Sequence, residues 1–186
     1  CGTDRKPDQF RAQPPDIAKI LIDGQTRSPP QARGLFVDAD GASRTLNDLM
    51  GERGLVLYFN RSLDWCPICL RQTIELEASV EAFAEAGWPV AVLTYDPVET
   101  LAQVADRRGL DVALLSDEDS ATIDAYGVRD PIYADPDHLA HGVPYPITVV
   151  IDRDGRVVAK FWHEAGLGQQ RGYATRISAE DVLADV

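Results

Sequence analysis

Cys66 and Cys69 stand three residues apart in the stretch DWCPIC, with Pro67 and Ile68 between them. Two thiols at that spacing can close a disulfide, pass electrons to another disulfide, or supply half of a tetrahedral metal site. The thiolate is the reactive form of cysteine, and its ordinary pKa is about 8.5. A helix beginning here would turn unpaired N–H groups and its positive dipole end toward the first thiol and favour its ionisation. Pro67 suits a first helical turn, where its missing N–H would have had no partner. On this reading Cys66 is the exposed nucleophile, and Cys69, one turn along, resolves whatever Cys66 forms. Zinc would need two more ligands. The chain has no second C-x-x-C, and its imidazoles are His138, His141 and His163, two of them in the loop DPDHLAHGVPYP. Redox chemistry therefore leads, with no metal and no cofactor expected.

The surrounding pattern supplies the elements that must hold the pair. GLVLYFN (54–60) is a continuous apolar run, as in a central strand covered on both faces. A helix then opens near Cys66, with Cys69, Thr73, Leu76, Val80 and Phe83 at spacings of four and three, and it stops at Gly87. Residues 89–95 (PVAVLTY) read as the next strand. Asp96 is placed to cap the following helix, with Pro97 in its first turn and Gly109 at its end. A third strand (112–116), a short helix (119–127) and a loop of some twenty residues follow. A hairpin turns at Asp154-Gly155 within 147–162, and a last helix closes the chain. Upstream, GLFVDADGASRTL reads as a hairpin around Asp40-Gly41. The order predicts an α/β fold, a mixed β-sheet flanked by helices on both faces, with an N-terminal β-hairpin.

Composition narrows the partners. The 186 residues carry a formal net charge of -12, which repels phosphate backbones and anionic lipid surfaces, so no nucleic-acid partner is expected. No apolar run approaches the roughly 20 residues of a membrane span. Three cysteines, Cys1, Cys66 and Cys69, make one close pair and one thiol at the first position, not a disulfide framework. Residues 1–33, rich in Pro, Gln, Asp and Arg, read as an arm or tether ahead of a domain at 34–186. A lipid on Cys1 would make the protein a periplasmic, membrane-anchored lipoprotein of a bacterium, with that lipid its only membrane contact. If Cys1 is only the point where the chain was cut, a cytoplasmic location is expected.

VLYFNRSLDWCPIC, VAVLTYDPVETLAQVADRRGLDVALLSDEDSATIDAYGV and HGVPYPITVVIDRDGRVVAKF, in that order, resemble the alkyl hydroperoxide reductase/thiol-specific antioxidant family, peroxiredoxin-like redoxins of the thioredoxin superfamily. The resemblance covers residues 34 to 165. It implies a thioredoxin-like fold, Cys66 as the redox-active cysteine and Cys69 as its resolving partner. It matches Trp65 to the aromatic that commonly precedes the first cysteine, although a Trp here could equally be a core aromatic. It matches Pro146, ahead of ITVVID, to a cis-proline facing the pair, with Pro144 the poorer match. A supporting arginine is implied, for which Arg61, Arg129 and Arg153 are available.

The chain also departs from that family. The P-x-x-x-[TS]-x-x-C pattern around a peroxidatic cysteine has Phe59 and Leu63 in place of the proline and hydroxyl. Ser62 and Asp64 flank the position without filling it. The buried acid of thioredoxin has no match in YFN. A disulfide as oxidant, giving a thiol–disulfide oxidoreductase with an antioxidant or redox role, is therefore favoured. A hydroperoxide, giving a thiol peroxidase, is the alternative, and a non-catalytic metal or partner-binding module the third. The partners expected are protein or small-molecule disulfides or hydroperoxides and an external thiol electron donor.

Overall fold

The computed structural model describes residues 36–186, so the arm and Cys1 lie outside the described residues. The strands are β1 Phe36–Asp38, β2 Ser43–Arg44, β3 Gly54–Phe59, β4 Val90–Thr94, β5 Ala113–Ser116, β6 Ile147–Asp152 and β7 Val157–Phe161. They form one sheet in the order β2-β1-β5-β4-β3-β6-β7. The pairs joined by helical crossovers, β3–β4 and β4–β5, are parallel, and the remaining pairs are antiparallel. The α-helices are α1 Leu46–Leu49, α2 Pro67–Glu77, α3 Val80–Glu85, α4 Val98–Arg108, α5 Ala121–Ala125 and α6 Ala179–Leu183. No helix among the described residues is long and apolar enough to cross a membrane.

β3 is buried along its whole length, as its unbroken apolar run requires. Alternation along the strand divides the core. Leu55, Leu57 and Phe59 join the layer that holds Ile123 of α5 and Tyr126, which caps its end. Val56 and Tyr58 face the layer that holds Cys66, Cys69, Leu76, Phe83, Leu101 and Val104. The dithiol thus sits on the α2–α4 face of the sheet.

The structure corrects two expectations. The helix expected to run unbroken toward Gly87 is two helices, interrupted at Ala78-Ser79. The Glu77 carboxylate leaves the helix surface to accept from the N–H groups of Asp111 and Val112, each at 3.0 Å. Ser79, a weak helix former, then begins the second piece. Asp96 does not cap α4; Pro97 occupies that position, and Asp96 turns inward toward the cysteine loop. Gly109 ends α4 in the left-handed conformation (φ 63°) that glycine adopts without a Cβ penalty.

Candidate active site

The chain leaves β3 at Phe59 and reaches α2 at Pro67 through a loop built by short polar side chains. The Ser62 hydroxyl oxygen accepts from the N–H groups of Asp64 (3.0 Å) and Trp65 (3.2 Å). The Asp96 carboxylate accepts from the Leu63 N–H at 2.6 Å and from the Thr94 hydroxyl at 3.1 Å. Asp96 is 3% exposed, and burial pushes its carboxyl above the usual range against those hydrogen bonds. Ser62 and Asp96 satisfy a tight turn at the C-terminal end of β3 and so set where Cys66 emerges.

Cys66 is the N-cap of α2 and Pro67 takes its first position, as the sequence predicts. Cys69 is then the third helical residue, and the Leu70 N–H donates to the Cys66 carbonyl at 3.0 Å. Both thiols are free. The expectation of an exposed Cys66 is corrected. It is 3% exposed and Cys69 is 0% exposed, because both sulfurs belong to the apolar layer beside Val56, Tyr58 and Leu63. Cys66 remains the sulfur nearer the surface.

Charge is distributed unevenly over the pair. The Cys66 thiol hydrogen-bonds Cys69, and that bond, reinforced by burial, pushes its pKa up. Burial opposes ionisation of Cys69 too. That penalty is outweighed by the Cys66 thiol, the Arg176 guanidinium and the backbone N–H groups of Ser62 and Arg61, which together lower Cys69 to about 6. Arg176 Nη2 donates to Cys69 Sγ at 3.2 Å. Two coupled sulfurs of this kind give up one proton easily and hold the second tightly, and the remaining proton is shared between them.

The supporting arginine is Arg176, not one of the three the sequence offers. Arg129 forms a fork with Asp124 at 2.5 and 2.7 Å, and Arg153 donates to the Gly51 carbonyl at 3.1 Å. Arg61 gives its backbone N–H to the site. Its guanidinium lies over the rings of Trp65 (5.0 Å), Tyr133 (4.6 Å) and Tyr173 (3.8 Å). Arg176 is far along the chain from the pair, and nothing in local spacing marks it. Two 3-10 turns, Glu164–Gly166 and Gly172–Ala174, carry it back over Cys69.

That return depends on two glycines. A Cβ on Gly172 would fall 1.7 Å from the Gly166 carbonyl oxygen, and one on Gly166 would fall 2.7 Å from both the Gly172 carbonyl and the Tyr145 hydroxyl. Gly172→Ala is therefore expected to part the two turns and lift Arg176 from Cys69. Urea unfolding should show a loss of about 1–3 kcal/mol, and thiol alkylation at neutral pH should slow in step. A variant of unchanged midpoint would show that the turns do not need the close approach.

Trp65 is not a core aromatic. It is 42% exposed, its indole N–H donates to the Tyr95 hydroxyl at 2.9 Å, and the rings meet edge-on at 6.4 Å. It precedes Cys66 directly in the chain and leaves part of its ring at the surface. Pro146 lines a small cavity together with Tyr58 and Arg176, but the expectation of a cis bond is corrected. No peptide bond among the described residues is cis. The trans form is the lower one for X–Pro by about 0.5–1 kcal/mol. Tyr145, ahead of Pro146, donates its N–H to the Val128 carbonyl at 2.7 Å and its hydroxyl to the His163 carbonyl at 2.7 Å. Leu63, at the position where the family pattern has a hydroxyl, is 1% exposed and packs into the core.

The loop histidines are engaged elsewhere. His141 lies 3.2 Å from both the Tyr133 carbonyl and Arg129 Nη1, and His138 Nδ1 accepts from the Ala140 N–H at 3.0 Å. Among the described residues no three His, Cys, Asp or Glu side chains are grouped to hold a metal ion.

A reactive dithiol at a strand-to-helix junction, on a mixed sheet with helices on both faces, defines a thiol-dependent oxidoreductase of thioredoxin-like fold. The model of the AhpC/TSA family matches residues 29–160, and the chain belongs to that family. It is 32% identical over 91 residues to the peroxiredoxin Bcp of Escherichia coli K12, covering 49% of this chain and 57% of that one. It is 30% identical over 134 residues to the thiol-disulfide oxidoreductase ResA of Halalkalibacterium halodurans, covering 72% and 65%. Among solved structures, the peroxidoxin BcpB of Mycobacterium tuberculosis superposes with a TM-score of 0.60 at 26% identity, over 81% of this chain and 86% of that one.

Proposed function

We propose that Cys66 and Cys69 carry a dithiol–disulfide cycle whose oxidant is a substrate disulfide. The observation that carries this reading is the shared charge of the pair: Cys69 Sγ gathers the positive groups, and Cys66 sits at the helix N-cap nearer the surface. The Cys69 thiolate takes the proton of the Cys66 thiol through the hydrogen bond between them. The Cys66 thiolate attacks one sulfur of the substrate disulfide, giving a Cys66 mixed disulfide and one substrate thiolate, which leaves with the proton from Cys69. The Cys69 thiolate, held by Arg176 and two N–H groups, attacks Cys66 Sγ and expels the second substrate thiolate. One disulfide is reduced to a thiol and a thiolate, which takes its proton from solvent, and Cys66–Cys69 is oxidised. An external dithiol restores the pair by the same steps in reverse.

A hydroperoxide is the second reading, favoured by relatives named as peroxiredoxins. The Cys66 thiolate would attack the peroxide oxygen and release an alcohol. Cys69 would then condense with the Cys66 sulfenic acid, close the disulfide and release water. Leu63 counts against this route, because an apolar, buried side chain leaves no hydroxyl there to orient the peroxide.

Stopped-flow fluorescence of the reduced protein separates the two. Trp65, beside Cys66, reports closure of the disulfide. Mixing with a model aromatic disulfide should quench the signal at least about tenfold faster than mixing with hydrogen peroxide at equal concentration. The reverse order would assign the protein to peroxide reduction.

A further inference from the structure

Buried polar atoms without a hydrogen-bond partner among the protein atoms include Tyr58 Oη, Arg176 Nε and His163 Nδ1. All three residues line the same cavity of about 10 Å³. Tyr58 is 2% exposed, and a buried polar group without a partner is costly. A volume of about 10–15 Å³ admits one water molecule, provided two to four polar groups surround it. The volume meets the first condition, and three residues of the lining each carry an unpartnered polar atom. A water oxygen can accept from the Tyr58 O–H and the Arg176 Nε–H, and one of its hydrogens can be given to His163 Nδ1.

We propose that this cavity is a binding site for one structural water, and that Tyr58 acts through it as a positioning residue for the Cys69 thiolate. Arg176 Nη1 donates to the Tyr173 carbonyl and Nη2 donates to Cys69 Sγ. A third bond, from Nε to the water, fixes the plane of the guanidinium and with it the direction of Nη2. Tyr58 holds that water from β3, the strand that also leads into the cysteine loop. Larger open space between α2 and the C-terminal segment, about 770 Å³, is lined by the same Tyr58, Gln72, Arg176 and Ile177 and gives the water its way in. The titratable and charged groups around sulfur and cavity are Cys66 at the N-cap of α2 and Cys69 within it, Tyr58 of β3, Arg61 of the loop, Tyr145 ahead of β6, and His163 and Arg176 of the C-terminal segment.

The consequence of the water rests on the reading of Cys66–Cys69 as the redox pair, but both measurements are made without substrate, so failure of one does not imply failure of the other. High-resolution crystallography of the reduced protein should find a water within hydrogen-bond reach of both Tyr58 Oη and Arg176 Nε. Tyr58→Phe keeps the ring and removes the hydroxyl. In that variant the thiolate absorbance at 240 nm should titrate at higher pH, with thiolate content at pH 6 falling about two- to tenfold, while far-ultraviolet circular dichroism is unchanged. A dry cavity in the parent protein would overturn the proposal. So would a Tyr58→Phe titration that superposes on that of the parent. If the variant does not fold, crystallography of the parent alone decides.

Discussion

Cys66→Ser is expected to abolish turnover, by about a thousandfold or more, with disulfide and hydroperoxide alike, because the serine hydroxyl is not ionised near neutrality and Cys69 is sealed from the surface. Cys69→Ser is expected to fail one step later. Its Cys66 can still attack, but nothing expels the second half of the substrate, so the protein accumulates as a covalent adduct. Mass spectrometry of the non-reduced Cys69→Ser variant should show one substrate fragment on Cys66, released by dithiothreitol. The two variants together test the division of labour as well as its location. An adduct on Cys69 in the Cys66→Ser protein, formed at a comparable rate, would reverse the assignment. The 0% exposure of Cys69 against 3% for Cys66 argues that Cys66 attacks first, even though Cys69 holds the greater share of the charge.

Features that depend on neighbours in sequence are legible in the sequence alone. The apolar run 54–60 reads as a buried central strand and is one. Pro67 after Cys66 marks a helix start, and Cys66 is the cap. The Asp154-Gly155 hairpin joins two paired strands. Features that depend on the chain returning from a distance are not legible in this way. Arg176 reaches Cys69 by way of two loop turns whose only local sign is Gly166 and Gly172, and glycines mark turns without saying what the turns deliver. Burial of Cys66 belongs to the same class. A helix start predicts the electrostatics of an N-cap residue, but whether its thiol meets water is decided by the elements that pack beside it. Asp96 shows a local rule losing to a tertiary one: an aspartate before Pro-Val-Glu fits a helix cap, yet the unpaired N–H of Leu63 claims it.

That tertiary contribution sets the chemistry. The helix N-terminus and Cys66–Cys69 spacing are compatible with a disulfide of almost any potential, because potential follows the stability of the reduced state. Placing Arg176 and two N–H groups on Cys69 stabilises the thiolate form and hence the reduced pair. Reduced-state stabilisation of this kind makes the disulfide easier to reduce, so the pair accepts electrons from a thiol donor more readily than an unassisted dithiol would. Trp65, next to Cys66 in the chain, is exposed, and its ring lies with those of Tyr133 and Tyr173 around the Arg61 guanidinium.

Arg176→Met should raise the pH at which the pair becomes reactive. The groups on Cys69 lower it to about 6, and its charge is shared with Cys66, so alkylation of the pair by iodoacetamide should climb between about pH 5 and 7 and then level off. Without the guanidinium, burial is left opposed by fewer groups, and the midpoint should move toward or beyond the ordinary thiol value of about 8.5. At pH 7 the variant should react about tenfold more slowly, less than the loss of thiolate alone would give because a more basic thiolate is the better nucleophile. Above the variant's own midpoint the two proteins should converge. Stability should follow the same sign. A Cys69 pKa lower in the folded than in the unfolded chain means the unfolded chain binds more protons between about pH 6 and 8.5, so the parent gains stability as pH rises through that window and loses it as pH falls through 6. Cys66, raised by its bond to Cys69 and by burial, contributes the opposite slope above about pH 8.5. Arg176→Met should flatten the rise between about pH 6 and 8.5, measured as the urea midpoint at successive pH values. A variant that keeps both the alkylation profile and the stability slope of the parent would show that the charge on Cys69 is held by the loop N–H groups alone.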